Sequence, residues 1–303
     1  MNPALAAVDL QVPESLDDAL RRLSADPALR PFAGGTDLMV LLEAGAIRPG
    51  RYLSLWGLRE LRGVAQTADG VSIGALTTYT DVRRSPWLHA YPMLGIAASE
   101  TGSVATQNRG TIGGNIANAS PAADTPPALL VYDAELELCS SAGRRRVRYD
   151  GFHTGYKQMD LRAGEIIAAI HLPRRVTGWR DYYRKVGTRR AQAISKVCFA
   201  GSIRMDGNVV DDIRVALGSV APTVVRCRQA EGAVRGRTLD DRAIAAAADA
   251  LGSDISPIDD IRSTARYRAA VSNILSTMRS RTASATATNK SRLERLCQAF
   301  ARE

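Results

Sequence analysis

Two glycine-rich segments hold the residue types with chemistry to offer. In the first, Phe32-Ala33-Gly34-Gly35-Thr36-Asp37-Leu38, a short apolar piece runs into paired glycines and then into an apolar helix predicted from Asp37 to Ala44. A turn from strand to helix leaves main-chain N–H groups free, and the helix dipole adds partial positive charge, so the place favours an anion. Adjacent glycines let the main chain approach a phosphate with no Cβ in the way. Alone, the loop fits a plain strand-to-helix turn equally well. The second segment, Gly110-Thr111-Ile112-Gly113-Gly114-Asn115, adds a hydroxyl, a carboxamide and another glycine pair. It leads into IANASPAADTPP, where the acid Asp124 stands among small residues and needs a partner. If the two loops converge, they suit a ligand with two phosphates and two sugar-like arms, which is a dinucleotide.

Other chemistries find no residues. GxGxxG and GxxxxGK[ST] are absent, which argues against a Rossmann or a Walker-type site, and so is a GxSxG nucleophile. Cys139, Cys198, Cys227 and Cys297 lie far apart with no CxxC, and His89, His153 and His171 show no ligand spacing, so no zinc or iron-sulfur site is written in this chain. Reaction chemistry must come from a cofactor.

The elements that would position the loops follow from pattern. Ser15 reads as the N-cap of a helix LDDALRRLSA with Leu16, Ala19, Leu20 and Leu23 on one face. Short strands (Tyr52 to Leu55, Val71 to Ile73) and a helix from Tyr91 to Glu100 precede the stretch Val104 to Pro127, which has few large apolar side chains and reads as a functional or disordered segment. Strands are predicted at Glu135 to Cys139, Arg146 to Tyr149, Ile166 to Leu172 and Asp181 to Val186. A hairpin then runs from Phe199 to Met205 and from Val209 to Gly218, turning at Asp206-Gly207. Helices are expected at Thr223 to Val234, Asp240 to Leu251 and Thr264 to Met278, followed by a Ser/Thr/Ala linker (Ser280 to Asn289) and a last amphipathic helix from Ser291 to Ala301.

The chain has 303 residues, 45% hydrophobic and 23% charged, an ordinary globular composition. Its net charge of +9 comes from scattered arginines. Arg144, Arg145, Arg146 and Arg148 form a cluster, which reads as an exposed hairpin rather than a phosphate site, and the basic surface suits an acidic partner subunit. No apolar run approaches a membrane span, and the N-terminus lacks the pattern of an export signal, so the expected compartment is the cytoplasm.

The segments FAGGTDLM and NRGTIGGNIANASPAADTPPALL, with LDDAL upstream and YYRKVGTRRAQAISKV downstream, resemble the FAD-binding subunits of the xanthine dehydrogenase and carbon monoxide dehydrogenase family of molybdenum hydroxylases, over residues 9 to 279. The resemblance implies an α+β chain: a two-subdomain FAD-binding fold like that of p-cresol methylhydroxylase (1–56 and 57–174), a C-terminal domain of antiparallel strands and helices (175–279), and a tail (280–303). It implies that Ala33 to Asp37 and Thr111 to Asn115 give main-chain and hydroxyl donors to the FAD diphosphate. Asp124 would accept from a ribose hydroxyl or nearby polar group, Ile167 would pack against the cofactor, and Lys185 would approach the ring system. Phe32, Leu38, Thr101, Ile112, Gly113, Gly114 and Ala119 complete the cofactor-binding set. A molybdenum cofactor on a large partner subunit would hydroxylate the substrate with oxygen from water. Two-iron two-sulfur clusters on a small subunit would pass electrons to the flavin, in a dimer of heterotrimers. No acid-base catalyst is expected in this chain.

Two departures from that pattern bear on the ring and on the acceptor. Thr101 stands where some members place an aromatic residue against the flavin, leaving Tyr156, Tyr182 and Tyr183 as candidates for stacking. Arg189-Arg190 is followed by Ala191-Gln192 where some NAD-reducing members carry acids. Two other functions remain open: a free-standing flavin oxidase or reductase of the same fold, and a basic binding module without flavin. Neither glycine loop holds the His or Cys that often attaches flavin covalently in the first, and 5% aromatic residues give the second little to stack bases on.

Overall fold

The computed structural model describes residues 8–189 and 192–273, which form three main sheets in chain order. The first is parallel, with β1 (Asp9–Gln11) and β2 (Arg30–Phe32) flanking β3 (Arg51–Ser54). Parallel strands need crossovers; the Leu38–Glu43 helix links β2 to its neighbour β3, and the Leu16–Ala25 helix carries the chain from β1 to β2. The Ser15 hydroxyl caps it by accepting from the Asp18 N–H at 3.1 Å, and Leu16, Ala19, Leu20 and Leu23 are buried as the spacing predicts. That face packs with Leu53, Leu55, Leu61, Leu76 and Ile166, joining the first sheet to the second.

The second sheet is antiparallel, in the order β4 (Val64–Thr67), β5 (Gly70–Gly74), β10 (Ile166–Pro173), β6 (Glu135–Ser140), β7 (Gly143–Arg148). A small hairpin of β8 (His153–Gly155) and β9 (Gln158–Met159) precedes β10. The stretch from Val104 to Pro127 is not a structureless segment. It forms the short helices Val104–Arg109, set against the Tyr79–Arg84 helix, and Ile112–Ala117, set against β10, and enters a third, Pro126–Val131, which packs on the strands that follow at 197–226. Small residues build a packing face here by allowing close approach: a Cβ on Gly113 would stand 2.5 Å from that of Ala75.

The arginine cluster lies on β7, an edge strand whose charged residues also deter edge-to-edge pairing. Arg144 pairs with Glu137, and Arg145 grips Glu165 through Nε and Nη2 at 2.7 and 2.8 Å and Asp160 at 3.0 Å. These are bonds within the fold. Arg145 foremost, aided by the Arg162 N–H, holds the Glu165 carboxyl below the usual carboxylate range. A depressed pKa contributes stability that is complete above the unfolded value of about 4.3 and is lost as pH falls through the folded value. Glu165→Gln should therefore lower stability at pH 7 by about 1–2 kcal/mol, with the gap to the parent closing below pH 4. Urea midpoints across that range check this.

The third sheet runs β11 (Trp179–Val186), β12 (Val197–Asp206), β13 (Val209–Gly218), β14 (Val225–Arg226), all antiparallel. The β12–β13 turn is Gly207-Asn208, with Gly207 at φ +54°, one residue beyond the expected pair. Side-chain alternation divides the sheet: Tyr183, Cys198, Ala200 and Ala216 face the core of the second sheet. Val197, Phe199, Val215 and Leu217 face the Arg228–Val234 and Asp241–Asp254 helices. The helix expected from Thr223 starts only at Arg228, because Val225 and Arg226 extend the sheet as β14 and the Cys227 N–H donates to Val215 O at 2.8 Å. Residues 265–273 are helical. The rest of the predicted 264–278 helix, the linker and the tail helix lie outside the described residues.

Candidate cofactor site

The first glycine loop leaves β2 at Phe32, and Ser54 pairs with Phe32 on the neighbouring β3. The loop therefore stands at the carboxyl end of a parallel sheet, where open α/β sheets offer a ligand crevice. Gly35 has φ +76°, a conformation that favours glycine. Asp37 flanks the Leu38–Glu43 helix as expected, and its side chain makes no capping bond. Among the described residues, no acceptor takes the main-chain N–H of Gly34, Gly35, Thr36 or Asp37.

The second loop meets the first. A Cβ on Gly34 would lie 1.9 Å from Arg109 O and 3.3 Å from Gly110 Cα, and one on Gly114 would lie 3.9 Å from the Ala33 Cβ. Convergence is therefore backbone against backbone. From Ile112 to Asn115 the second loop's main-chain donors are otherwise engaged, against expectation. The Ile112 N–H goes to Thr77 O at 3.0 Å, Gly113 to Ala75 O at 2.9 Å, Gly114 to the Thr111 hydroxyl at 3.1 Å and Asn115 to Thr111 O at 2.9 Å. These bonds fix the loop's shape and leave to a ligand the Thr111 hydroxyl proton and the amide of Asn115, whose Oδ1 accepts from the Thr125 hydroxyl at 2.6 Å. Tyr79, which the sequence reading missed, braces this loop. Its N–H donates to Gly110 O at 3.1 Å, its ring lies under Gly110, and its hydroxyl, kept protonated by burial, meets Asn115. The signal for it was the capping box Thr78…Asp81 that starts its helix.

Asp124 is 7% exposed and centres a polar cluster that draws on two sheets. Its Oδ2 accepts from Lys185 Nζ at 2.7 Å and its Oδ1 from the Ser195 hydroxyl at 2.7 Å, with the Thr101 hydroxyl also in contact. Burial pushes its carboxyl up, and Lys185, Ser195 and Thr101 oppose the shift. Lys185 also donates to Glu100 O at 2.9 Å, and the Tyr183 hydroxyl donates to Asp124 O at 2.9 Å while accepting from the Cys198 thiol at 3.1 Å. The acid's missing neighbour is thus Lys185, from the third sheet. Ser195 was not foreseen.

Of the remaining expected residues, Ile167 is buried in the main core at a bulge in β10, and Ala119, at φ +47°, turns the chain after the second loop. Phe32, Ala33 and Leu38 flank the first loop, while Ile112 is fully buried. Among the stacking candidates, Tyr183 is committed to Asp124 and Tyr182 packs on Phe199, whereas Tyr156 stands 65% exposed at the β8–β9 turn. Arg190 and Ala191 lie outside the described residues. Among the described residues no three His, Cys, Asp or Glu side chains are grouped to hold a metal ion, and no helix is long and apolar enough to cross a membrane.

Comparison with known proteins agrees with this geometry. Residues 6–175 match the family model for the FAD-binding domain in molybdopterin dehydrogenase, and residues 182–280 match that for the carbon monoxide dehydrogenase flavoprotein C-terminal domain. The chain is 35% identical to the glyceraldehyde dehydrogenase medium chain of Sulfolobus acidocaldarius, over 86% of this chain and 93% of that one. It is 32% identical to a putative xanthine dehydrogenase FAD-binding subunit of Escherichia coli, over 84% and 88%. The solved carbon monoxide dehydrogenase of Hydrogenophaga pseudoflava superposes with a TM-score of 0.86 at 31% identity, over 89% of this chain and 94% of that one.

Proposed function

The chain belongs to the FAD-binding subunits of the molybdenum hydroxylases, and from that premise we propose how its own residues hold the cofactor. It is an oxidoreductase subunit whose task is electron transfer, so its residues bind and orient. The observation that carries the reading is the contact of Gly34 with Arg109 and Gly110, which brings two glycine loops together beside four main-chain N–H groups that find no acceptor among the described residues. That cradle fits a diphosphate: Gly34, Gly35, Thr36 and Asp37 donate from one side, and Thr111 and Asn115 from the other. Asp124 keeps lone pairs for a ribose hydroxyl or neighbouring polar group. Lys185 approaches the ring system, Thr101 borders it, and Ile167 gives an apolar wall. Bound FAD would supply the redox chemistry, which is to accept electrons one at a time and give them up as a pair.

The subunit works in a heterotrimer with a large molybdenum-cofactor chain and a small iron-sulfur chain, paired as a dimer of heterotrimers, in the cytoplasm. Two FAD-binding subdomains (1–56, 57–174) and a C-terminal domain (175–279) divide the chain in this reading, which the succession of three sheets supports. Purification from the native host should yield a yellow complex of three chains with about one FAD per copy of this one, released on denaturation, while the isolated chain retains no molybdenum. A colourless monomer without partners would overturn the proposal. Metal analysis and absorbance at flavin wavelengths decide it.

A further inference from the structure

Trp56 leaves β3 two residues after Ser54, and Gly34 leaves β2 two residues after Phe32. Those strand ends are paired and the Leu55 N–H donates to Phe32 O at 2.8 Å, so the tryptophan and the first glycine loop emerge side by side. Two guanidinium groups lie over the Trp56 ring, Arg62 at 4.1 Å and Arg109 at 3.7 Å from its centroid. Such a stack is attractive for each cation separately, but the two cations repel one another. Burial foremost, and then the charge of Arg109, lower the Arg62 pKa.

The two arginines differ in what else they hold. Arg62 donates to Trp56 O at 2.6 Å and Leu76 O at 3.3 Å, so it is used in fastening the turn. Arg109 is exposed, and among the described residues no carboxylate or carbonyl accepts from its guanidinium. It is also the residue whose main-chain carbonyl meets Gly34. Its side chain is therefore held by an indole beside the diphosphate cradle, with its charge unbalanced and its donors available. A planar fork of this kind matches phosphate oxygens bidentately.

We propose that Arg109, held over the Trp56 ring, is the cationic group that receives the diphosphate of the bound dinucleotide, completing a cradle otherwise made of neutral donors. This rests on the FAD reading and names the residue that supplies its counter-charge. Trp56 is the positioning residue: the stack restricts the arginine before the ligand arrives and so reduces the ordering that binding requires.

The test titrates FAD into full-length apoprotein at several salt concentrations, following tryptophan emission, with inorganic pyrophosphate as a second probe. Arg109→Gln should weaken FAD binding roughly tenfold to a hundredfold at low salt and flatten its salt dependence, because screening acts on a charge pair that is no longer there. Arg109→Lys should keep the salt dependence and recover part of the affinity. Trp56→Phe should weaken binding less and remove most of the emission change, since the other tryptophans, Trp87 and Trp179, lie elsewhere in the chain. Arg237→Gln, at an exposed position in the third unit, controls for net charge and should change nothing. Equal affinity and equal salt dependence for Arg109→Gln and its parent would overturn the inference. If the parent binds no FAD, the reading beneath it falls separately, and the pyrophosphate titration still decides whether Arg109 binds a diphosphate.

Discussion

Replacing Gly34 with alanine should empty the purified protein of FAD while leaving its sheets intact. The added Cβ would lie 1.9 Å from Arg109 O, 2.7 Å from Arg109 C and 3.3 Å from Gly110 Cα. All three are main-chain atoms, so no side-chain rotation relieves the clash, and the loops must part by an ångström or more. Parting separates the donors of Gly34 to Asp37 from Thr111 and Asn115, and a diphosphate that needs both sides loses one. We expect flavin content to fall at least tenfold, an unchanged far-ultraviolet circular dichroism spectrum, and a drop of a few degrees in Tm. Gly57→Ala is the control, because a Cβ there meets nothing within 4 Å. Flavin retained at the parent level in Gly34→Ala would show that loop convergence does not hold the cofactor.

Both loops were legible in the sequence because each is local: a glycine pair after an apolar strand, or a Thr before two glycines, carries its conformation in consecutive residues. The Ser15 cap and the β12–β13 hairpin were legible for the same reason. What was hidden depends on contacts between distant segments. The N–H groups of Ile112 and Gly113 look free in sequence but are taken by Thr77 and Ala75, which reach them because Gly113 allows close approach. Lys185 reaches Asp124 from another sheet, and Ser195 arrives on the opposite carboxylate oxygen. The helix misplaced at Thr223 shows the same limit, since local propensity was overridden by pairing of Val225 and Arg226 with β13.

The second large effect concerns that buried pair and distinguishes a structural role for Asp124 from a cofactor-binding one. The side chains of Lys185 and Asp124 are 6% and 9% exposed, and each is the other's charged partner. Asp124→Ala should then lower stability by about 3–5 kcal/mol, mostly because the ammonium is left buried without its carboxylate, against the main-chain carbonyl of Glu100. Lys185→Met should do similar damage from the other side, since burial already pushes the Asp124 carboxyl up and the lysine is the largest influence opposing it. The double variant removes both charges, so its loss of stability should fall short of the sum by 2 kcal/mol or more, on the scale of about 0.5–3 kcal/mol for coupled neighbours. FAD affinity should behave differently. If Asp124 accepts from the cofactor, the double variant regains stability but not affinity, and its FAD dissociation constant stays at least tenfold above the parent's. Denaturation midpoints and FAD titrations on the four proteins of the cycle provide both readouts. Recovery of affinity along with stability would mean that Asp124 acts on the cofactor only by keeping Lys185 in place.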